Sequence, residues 1–199
     1  LLEPKVLTNA KVFDKDGEQK FKDFARDKEI NKKRGLPENT ITDNLIIKGN
    51  NLLALHSLKK EFTGKVKLIY IDPPYNTGSD SFKYNDSFNE STWLTFMKNR
   101  LQVAHKLLNK KGAIYVHIDH HQLGNLNILL NEVFGKENKV QVISIKTASP
   151  AGFKTVNPGP IDVTEYILFY TKDKSQFPFK KGYVPVGYNK NYNLYLEKN

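Results

Sequence analysis

The strongest constraint on the fold is the alternation of strand-length apolar runs with amphipathic helical stretches along the chain. The predicted strands span residues 45–48, 66–72, 113–119, 140–146 and 165–171. The predicted helices lie between them, at residues 51–60, 91–109 and 122–134. Strands and helices that alternate in this way form βαβ units, in which helices cover both faces of a mostly parallel sheet. The sequence therefore predicts an α/β fold.

Two of these segments differ in how their apolar residues are spaced. In the longest predicted helix, which we expect Ser91 to cap, apolar residues recur every three or four positions, as in a helix with one buried face. These residues are Leu94, Met97, Leu101, Ala104 and Leu108. The run VKLIYID at residues 66–72 is almost continuously apolar, which indicates a buried parallel strand.

The segments on either side of this pattern lack a clear period. Residues 3–40 are dense in charge, with a short helix expected at residues 18–30 and a connector at KKRGLPEN. We therefore expect the ordered domain to begin near Thr42. From Lys172 onward, the sequence is rich in aromatic residues and lysine, again without periodicity.

The composition excludes several classes of site from this chain. It contains no cysteine, which excludes a disulfide scaffold, a cysteine-ligated zinc or iron–sulfur site and a thiolate nucleophile. No apolar run approaches the roughly 20 residues that cross a bilayer, and the first residues do not resemble a signal peptide. We expect a cytoplasmic location. Because the only methionine is Met97, we also expect the chain to be an internal piece of a longer protein.

The charge suggests one class of partner without deciding it. A net charge of +10, from 31 basic and 21 acidic residues, suits a polyanion such as nucleic acid. Most of the basic residues are lysine, and the chain is also rich in asparagine, a bias that an AT-rich genome would give to any protein. Charge alone therefore leaves nucleic-acid binding open.

The most informative segment is DPPY, residues 72–75, which begins at the last residue of the predicted strand at 66–72. Ligands of an open α/β sheet bind beyond the carboxyl ends of its strands. There, the Asp72 carboxylate and the Pro73 carbonyl could each accept one N–H of an aromatic amine and so orient its lone pair. The prolines stiffen the turn, and the ring of Tyr75 can stack on a base. This arrangement suits methylation of an amine, although Asp-Pro and Pro-Pro are also common in ordinary turns.

The segment IDPPYNTG resembles the catalytic motif of amino-methyltransferases that act on DNA. The longer pattern resembles the Mod (modification) subunit of type III restriction–modification systems, an adenine-N6 methyltransferase of the permuted beta class. The resemblance covers residues 36–175, with its blocks in the same order and at matching spacing. These blocks are NLIIKGNNLLALHSL, STWLTFMKNRL, GAIYVHID, LLNEVFG, SPAGFKTVN and EYILFYTK.

The resemblance implies a Rossmann-like fold that uses S-adenosylmethionine and flips an adenine out of double-stranded DNA. Asp72 and Pro73 then bind the amine, Pro74 shapes the turn and Tyr75 stacks on the base. Direct transfer from sulfonium to nitrogen needs no protein nucleophile, which agrees with the absence of cysteine. Methylation at cytosine carbon 5 needs a covalent cysteine adduct and is excluded.

The same resemblance places the cofactor's nucleoside beside Gly49, Asn50, Asn51 and Asp72, although many relatives have Asp where Asn50 stands. In the permuted class the Gly-rich cofactor loop comes later in the chain, and this sequence has no strand–Gly-rich-turn–helix unit. We therefore expect a partial sheet, the catalytic half of the fold, with weak or absent binding of S-adenosylmethionine. The expected domains are a charged extension (1–41), a catalytic methyltransferase region (42–175) and the start of a target-recognition region (176–199).

Two loops are expected to contact DNA. Residues 79–89 follow the motif and offer Lys83 and Tyr84 for phosphate and stacking contacts, and residues 146–160 offer Lys154. The resemblance also implies a restriction (Res) subunit and a second Mod subunit as partners of the complete protein, and no membrane.

Several alternatives remain open from the sequence. Asp72, where some relatives have Ser, favours adenine over the cytosine amine, but cytosine N4, RNA and a glutamine side chain are possible acceptors. A non-catalytic DNA-binding or assembly module is a further alternative. His120 and His121, which follow a predicted strand, are expected to be surface residues, and no metal site is expected.

Overall fold

The structure, a computed structural model, describes residues 10–77, 89–147, 162–180 and 182. Its helices are α1 (Lys28–Arg34), α2 (Asn51–Phe62), α3 (Glu90–Leu107) and α4 (His120–Phe134). Its strands are β1 (Val12–Asp14), β2 (Gly17–Gln19), β3 (Val66–Ile71), β4 (Leu108–Ile118), β5 (Lys139–Lys146) and β6 (Thr164–Thr171). A short 3₁₀ turn, Lys136–Asn138, connects α4 to β5.

A four-stranded sheet in the order β3-β4-β6-β5 forms the centre of the described chain. Strand β3 is parallel to β4, whereas β6 is antiparallel to both of its neighbours. The α/β class is confirmed, but the expectation of a mostly parallel sheet is wrong for these four strands. The connections explain the difference. Helix α3 returns the chain from β3 to the start of β4, whereas a hydrogen bond from Thr147 N to Val163 O continues the antiparallel pairing of β5 with β6.

The core lies between one face of the sheet and the helices α3 and α4. Alternate residues of β4 and β6 point to this face, as the pleat of a strand requires. The buried cluster consists mainly of Trp93, Met97, Leu101, Leu126, Leu130, Ile114, Val116, Ile118, Leu168 and Tyr170. The helical period predicted for residues 91–109 is thus confirmed, since its apolar stripe contributes directly to the core.

Strand β3 lies at an edge of the sheet, because among the described strands it pairs only with β4. Ile69 and Ile71 contact the core, whereas Leu68 and Tyr70, on the opposite face, are 58% and 55% exposed. The prediction of a buried strand at residues 66–72 is therefore wrong for one of its faces. A continuous apolar run identifies a strand, but it does not show what covers each face.

Asparagine and aspartate side chains begin the three longer helices. Asn50 begins α2, Asn89 begins α3 and Asp119 begins α4, and each accepts hydrogen bonds from backbone N–H groups of the first turn. A cap of this kind contributes about 1 kcal/mol to stability. Ser91, which was predicted to cap α3, lies in its first turn instead, and its hydroxyl donates to the Asn89 side chain at 3.0 Å.

Helix α3 ends earlier than predicted, and β4 begins immediately at Leu108. Gly112, which follows the helix predicted at residues 91–109, lies within β4. A Cβ atom at Gly112 would lie 2.9 Å from the carbonyl oxygens of both Asn109 and Val66. The glycine is therefore explained by the close approach of two backbones rather than by helix termination.

The residues before α2 are more ordered than expected. Strands β1 and β2 form an antiparallel hairpin, and α1 runs from the Asp27 cap to the left-handed Gly35 at φ 66°. Asn31 is completely buried, and its side-chain amide donates to the backbone carbonyls of Glu38 and Thr40, which follow the helix. The helix predicted at residues 18–30 was placed too early, because its start and stop signals are Asp27 and Gly35.

The strand predicted at residues 45–48 is absent. The side chain of Ile46 is fully exposed, and no described strand lies alongside this segment. An apolar run becomes a strand only where a neighbour pairs with it. The segment instead leads into the Asn50 cap and the start of α2.

Candidate active site

The carboxyl ends of β3 and β4 meet the amino end of β6 at one edge of the sheet. Ile71 of β3 pairs with Val116 of β4, and Ile118 of β4 pairs with Tyr166 of β6. This combination of parallel and antiparallel pairing brings the DPPY turn, residues 72–75, beside the start of β6. An open α/β sheet binds its ligands at such an edge, which makes this edge the candidate site.

The DPPY turn is held from the helical side by Trp93. The indole Nε1 donates a hydrogen bond to the carbonyl of Pro74 at 2.8 Å, and the Trp93 side chain is completely buried in the first turn of α3. Because the two prolines already restrict the backbone, this bond fixes the turn relative to the core. Trp93 was not identified from the sequence. The available signal was its place as the single tryptophan, in the first turn of the helix after the motif.

Asp72 and Tyr75 differ in their exposure to solvent. Asp72 is exposed, so its carboxylate is accessible to a ligand, whereas Tyr75 is partly buried. The Tyr75 hydroxyl donates to Oε2 of Glu165 at 3.3 Å. Burial raises the pKa of the Tyr75 phenol well above its usual range, and the Asp72 and Glu165 carboxylates raise it further. The phenol therefore keeps its proton and acts as a hydrogen-bond donor.

His117 of β4 joins this arrangement. Its Nε2 lies 2.7 Å from Oε2 of Glu165, and its Nδ1 lies 3.2 Å from the hydroxyl of Tyr70. The rings of His117 and Tyr75 also meet edge to face, with centroids 6.0 Å apart. Sequence reasoning missed Glu165, His117 and Tyr70, because their contact depends on the register of three strands that are far apart in the chain.

The predicted cofactor residues Gly49, Asn50 and Asn51 lie at the amino end of α2. The N–H of Gly64, just beyond α2, donates to the carbonyl of Lys106 in the last turn of α3 at 3.1 Å. Helices α2 and α3 pack together, and this bond joins their carboxyl ends. The Asn50 side chain is engaged as the helix cap, and a Cβ at Gly49 would meet nothing within 4 Å.

A family model described as DNA methylase matches residues 66–199. This chain belongs to the DNA methylase family. It is 45% identical over 170 residues to the probable type III restriction-modification enzyme HindVI Mod subunit of Haemophilus influenzae, and 36% identical over 184 residues to the type III restriction-modification enzyme EcoP15I Mod subunit of Escherichia coli. The matches cover 83% and 77% of this chain but 23% and 27% of the relatives. The methylase chain therefore spans about a quarter of the length of the curated relatives it matches.

Among solved structures, the crystal structure of an M1.HpyAVI–SAM complex is similar to this methylase chain. The TM-score is 0.47 and the sequence identity is 16%, over 70% of this chain and 60% of the other. Within the ranges that the structure describes, this chain has no helix long and apolar enough to cross a membrane.

The predicted DNA contacts of the methylase fall outside the described residues. Lys83 and Tyr84 follow the DPPY turn in the sequence, and Lys154 stands between β5 and β6 in the sequence. Their roles stay predictions. The structure thus brings together Asp72 and Tyr75, whereas the cofactor roles of Gly49, Asn50 and Asn51 and the roles of the basic residues expected at the phosphates stay predictions.

His120 and His121 lie exposed at the same edge of the methylase sheet, as expected from the sequence. Nδ1 of His121 lies 2.6 Å from the Asp119 carboxylate, and Nδ1 of His120 lies 2.9 Å from that of Asp162. Asp119 and the two histidines are close enough together to share a metal ion. Exposed groups of this kind are also common without one, and the carboxylate contacts account for the orientation of both rings.

Proposed function

We propose that the complete protein containing this chain transfers a methyl group from S-adenosylmethionine to the N6 amine of adenine in double-stranded DNA. The observation that carries the proposal is the exposed Asp72 carboxylate beside the partly buried Tyr75, at the ligand-binding edge of a DNA methylase sheet. The names of the relatives from H. influenzae and E. coli support a role as the Mod subunit of a type III restriction–modification system. That role brings with it a Res subunit and a second Mod subunit as proposed partners.

The turn has the groups that an aromatic amine requires. The Asp72 carboxylate accepts one N–H of the amine and the Pro73 carbonyl accepts the other, which directs the nitrogen lone pair away from both. The ring of Tyr75 stacks on the base, and Pro74, held by Trp93, keeps the turn in place. As the nitrogen is methylated, positive charge develops on it and the Asp72 carboxylate stabilises that charge. No protein nucleophile takes part.

S-adenosylmethionine supplies a methyl group that is activated by a sulfonium. The residues present fit part of such a site, because Gly49 borders open space and Asp72 exposes its carboxylate. The amino end of α2 also offers backbone N–H groups to polar atoms of a ligand. We therefore propose that Gly49, Asn50 and Asn51 line the cofactor site together with Asp72, with the Asn50 side chain shaping the helix end as its cap.

The test uses the complete gene product with labelled S-adenosylmethionine and unmethylated DNA, followed by analysis of the nucleosides. Asp72→Ala removes the carboxylate from the site. Glu132→Ala is the matched control, because it removes an exposed carboxylate from α4 that pairs with the partly exposed Lys98. We expect labelled N6-methyladenine from the wild type and from Glu132→Ala, and none from Asp72→Ala.

Other products would redirect the proposal. Labelled N4-methylcytosine, or label in RNA or in a glutamine side chain, would replace adenine as the acceptor. A folded wild-type protein that binds DNA but transfers no label to any acceptor would support the non-catalytic module instead.

A further inference from the structure

Three strands deliver side chains to the open face of the sheet at the site edge. His117 of β4 pairs with Ile167 of β6, and Glu165 stands two residues before Ile167, so both side chains share one face. Tyr70 of β3 pairs with Tyr115, two residues before His117, and shares that face as well. The register of the sheet therefore assembles Tyr70, His117 and Glu165 into one row that leads to the DPPY turn.

Glu165 is the member of this row that touches the turn. Its Oε2 accepts a hydrogen bond from the Tyr75 hydroxyl at 3.3 Å. Nε2 of His117 lies 2.7 Å from the same oxygen. The geometry is not that of a directed hydrogen bond, but the close contact restricts where the Glu165 carboxylate can lie. The side chains of His117 and Glu165 are 17% and 28% exposed. A carboxylate shielded from water to this degree needs partners to be stable, and these two contacts supply them.

The contacts restrict the ring of Tyr75 more than packing alone would. A tyrosine ring turns about two side-chain bonds. A hydrogen bond at the hydroxyl fixes the first, and it biases the second because the phenol O–H prefers to lie in the plane of the ring. The edge-to-face contact with His117, at an interplanar angle of 62°, supports the same orientation. The Asp72 carboxylate lies close enough to the Tyr75 phenol to raise its pKa. The ring therefore lies beside the carboxylate that would bind the amine.

We propose that Glu165 and His117 form a positioning pair that sets the plane of the Tyr75 ring and thereby the stacking surface offered to the flipped base. The inference rests on the proposed function of the DPPY turn. Glu165 and His117 are positioning residues, because they act on the base through Tyr75. At the exposed end of the row, the hydroxyl of Tyr70 lies within hydrogen-bond distance of Nδ1 of His117.

A double-mutant cycle in the complete protein tests the pair. The variants are Tyr75→Phe, which keeps the ring but removes its tether, Glu165→Ala, and the two combined. We expect each single variant to lower kcat about tenfold, as for the loss of a hydrogen bond to a charged group. The KM for S-adenosylmethionine should stay the same. The combined variant should be no slower than the worse single variant, because Glu165 acts only through the Tyr75 hydroxyl.

A second readout follows the base itself. With 2-aminopurine at the target adenine, fluorescence reports unstacking from the duplex and stacking on the protein. Both single variants should change this fluorescence in the same direction, and Glu165→Gln should recover part of the wild-type signal, since its amide oxygen can still accept from Tyr75. Tyr170→Phe is the matched control: it deletes a phenol oxygen on the covered face, where the hydroxyl donates to Asn131 at 2.8 Å, and should alter neither kcat nor fluorescence.

The outcomes separate this proposal from the proposed function. Losses that multiply in the combined variant, or a Glu165→Ala protein with kcat within about twofold of the wild type, would overturn the positioning pair. If Glu165→Ala fails to fold, Tyr75→Phe with an unchanged kcat and fluorescence overturns it equally. A wild type that transfers no methyl group to adenine but alters 2-aminopurine fluorescence would defeat the proposed function, and the fluorescence cycle would still decide the pair. A wild type with neither property would overturn both.

Discussion

The two faces of the sheet are built differently, although both hold the same turn. On the face covered by α3 and α4, the side chains of Ile114, Val116 and Leu168 are completely buried. On the open face, Leu68 and Tyr70 are more than half exposed. The covered face holds the DPPY turn through the buried indole of Trp93, and the open face holds it through the polar row that ends at Tyr75.

This difference separates the residues that stabilise the fold from those that tune the site. Buried apolar contacts contribute to the free energy of unfolding in proportion to the area they remove from water. Partly exposed polar contacts contribute little to that free energy, but they can fix the direction of a side chain. Substitutions on the covered face should therefore affect stability first, and those on the open face should affect activity first.

The largest expected effect comes from Leu126→Ala in α4. Leu126 is completely buried in the core cluster, so the shorter side chain leaves a cavity and should lower the free energy of unfolding by about 3 kcal/mol. Urea unfolding of the 199-residue chain, followed by circular dichroism, measures this loss. A loss below about 1 kcal/mol would mean that the covered face is much less tightly packed than its burial indicates.

Trp93→Phe should have the next largest effect, and it acts on both properties. The substitution keeps an aromatic ring in the core but removes the hydrogen bond to the Pro74 carbonyl, so we expect a loss of about 2 kcal/mol in stability. We also expect kcat of the complete protein to fall, because the turn loses its anchor. Unfolding and steady-state methylation on the same preparation would measure both. A destabilised variant with wild-type kcat would show that the open face alone positions the turn.

Tyr170→Phe, again on the covered face, should cost about 1 kcal/mol at neutral pH. Burial raises the pKa of Tyr170 to about 12, above the usual value near 10 that it has when unfolded. The folded state therefore holds this proton more tightly, so the associated stability is complete below about pH 10 and is lost as the pH rises toward 12. The free energy of unfolding should fall more steeply over this window in the wild type than in Tyr170→Phe. Parallel slopes in urea titrations at several pH values would contradict the burial of this hydroxyl.

The smallest effect is expected for Leu68→Ala, the open-face counterpart of Leu126→Ala. Because Leu68 is mostly exposed, the substitution should change the free energy of unfolding of the 199-residue chain by less than about 0.5 kcal/mol. The free energy of unfolding of Leu68→Ala should also be measured in the complete protein. A cost there similar to that of Leu126→Ala would show that another part of the protein covers the open face.

The features that the sequence predicted correctly are those encoded by local spacing. The period of the apolar residues identified α3, the apolar runs identified β3 and β6, and the position of DPPY after a strand placed Asp72 at the ligand-binding edge. The cap of α2 at Asn50 is also encoded by local sequence. It was not predicted, because Asn50 was interpreted only as a cofactor-binding residue. A helix cap and a ligand contact both require a polar side chain at the same helix end, so one residue type satisfies either role.

The features that could not be predicted depend on which strands become neighbours. The antiparallel direction of β6 is set by its pairing with β4 and β5, and neither pairing is visible in the strand's own residues. Glu165 and His117 meet only because that register places them on one face. The roles of Lys83, Tyr84 and Lys154 and the division of the chain at residues 41 and 175 stay predictions.

The edge position of β3 has a consequence for handling the chain in solution. Along the side away from β4, its backbone N–H and C=O groups have no partner strand within the described part of the molecule, and such an edge is a template for intermolecular pairing. The exposed Leu68 and Tyr70 make that pairing more favourable, whereas the charge of the exposed Lys67, which directly precedes Leu68, opposes it. Aggregation of the isolated chain should therefore increase with concentration, and with any substitution that removes the positive charge at Lys67.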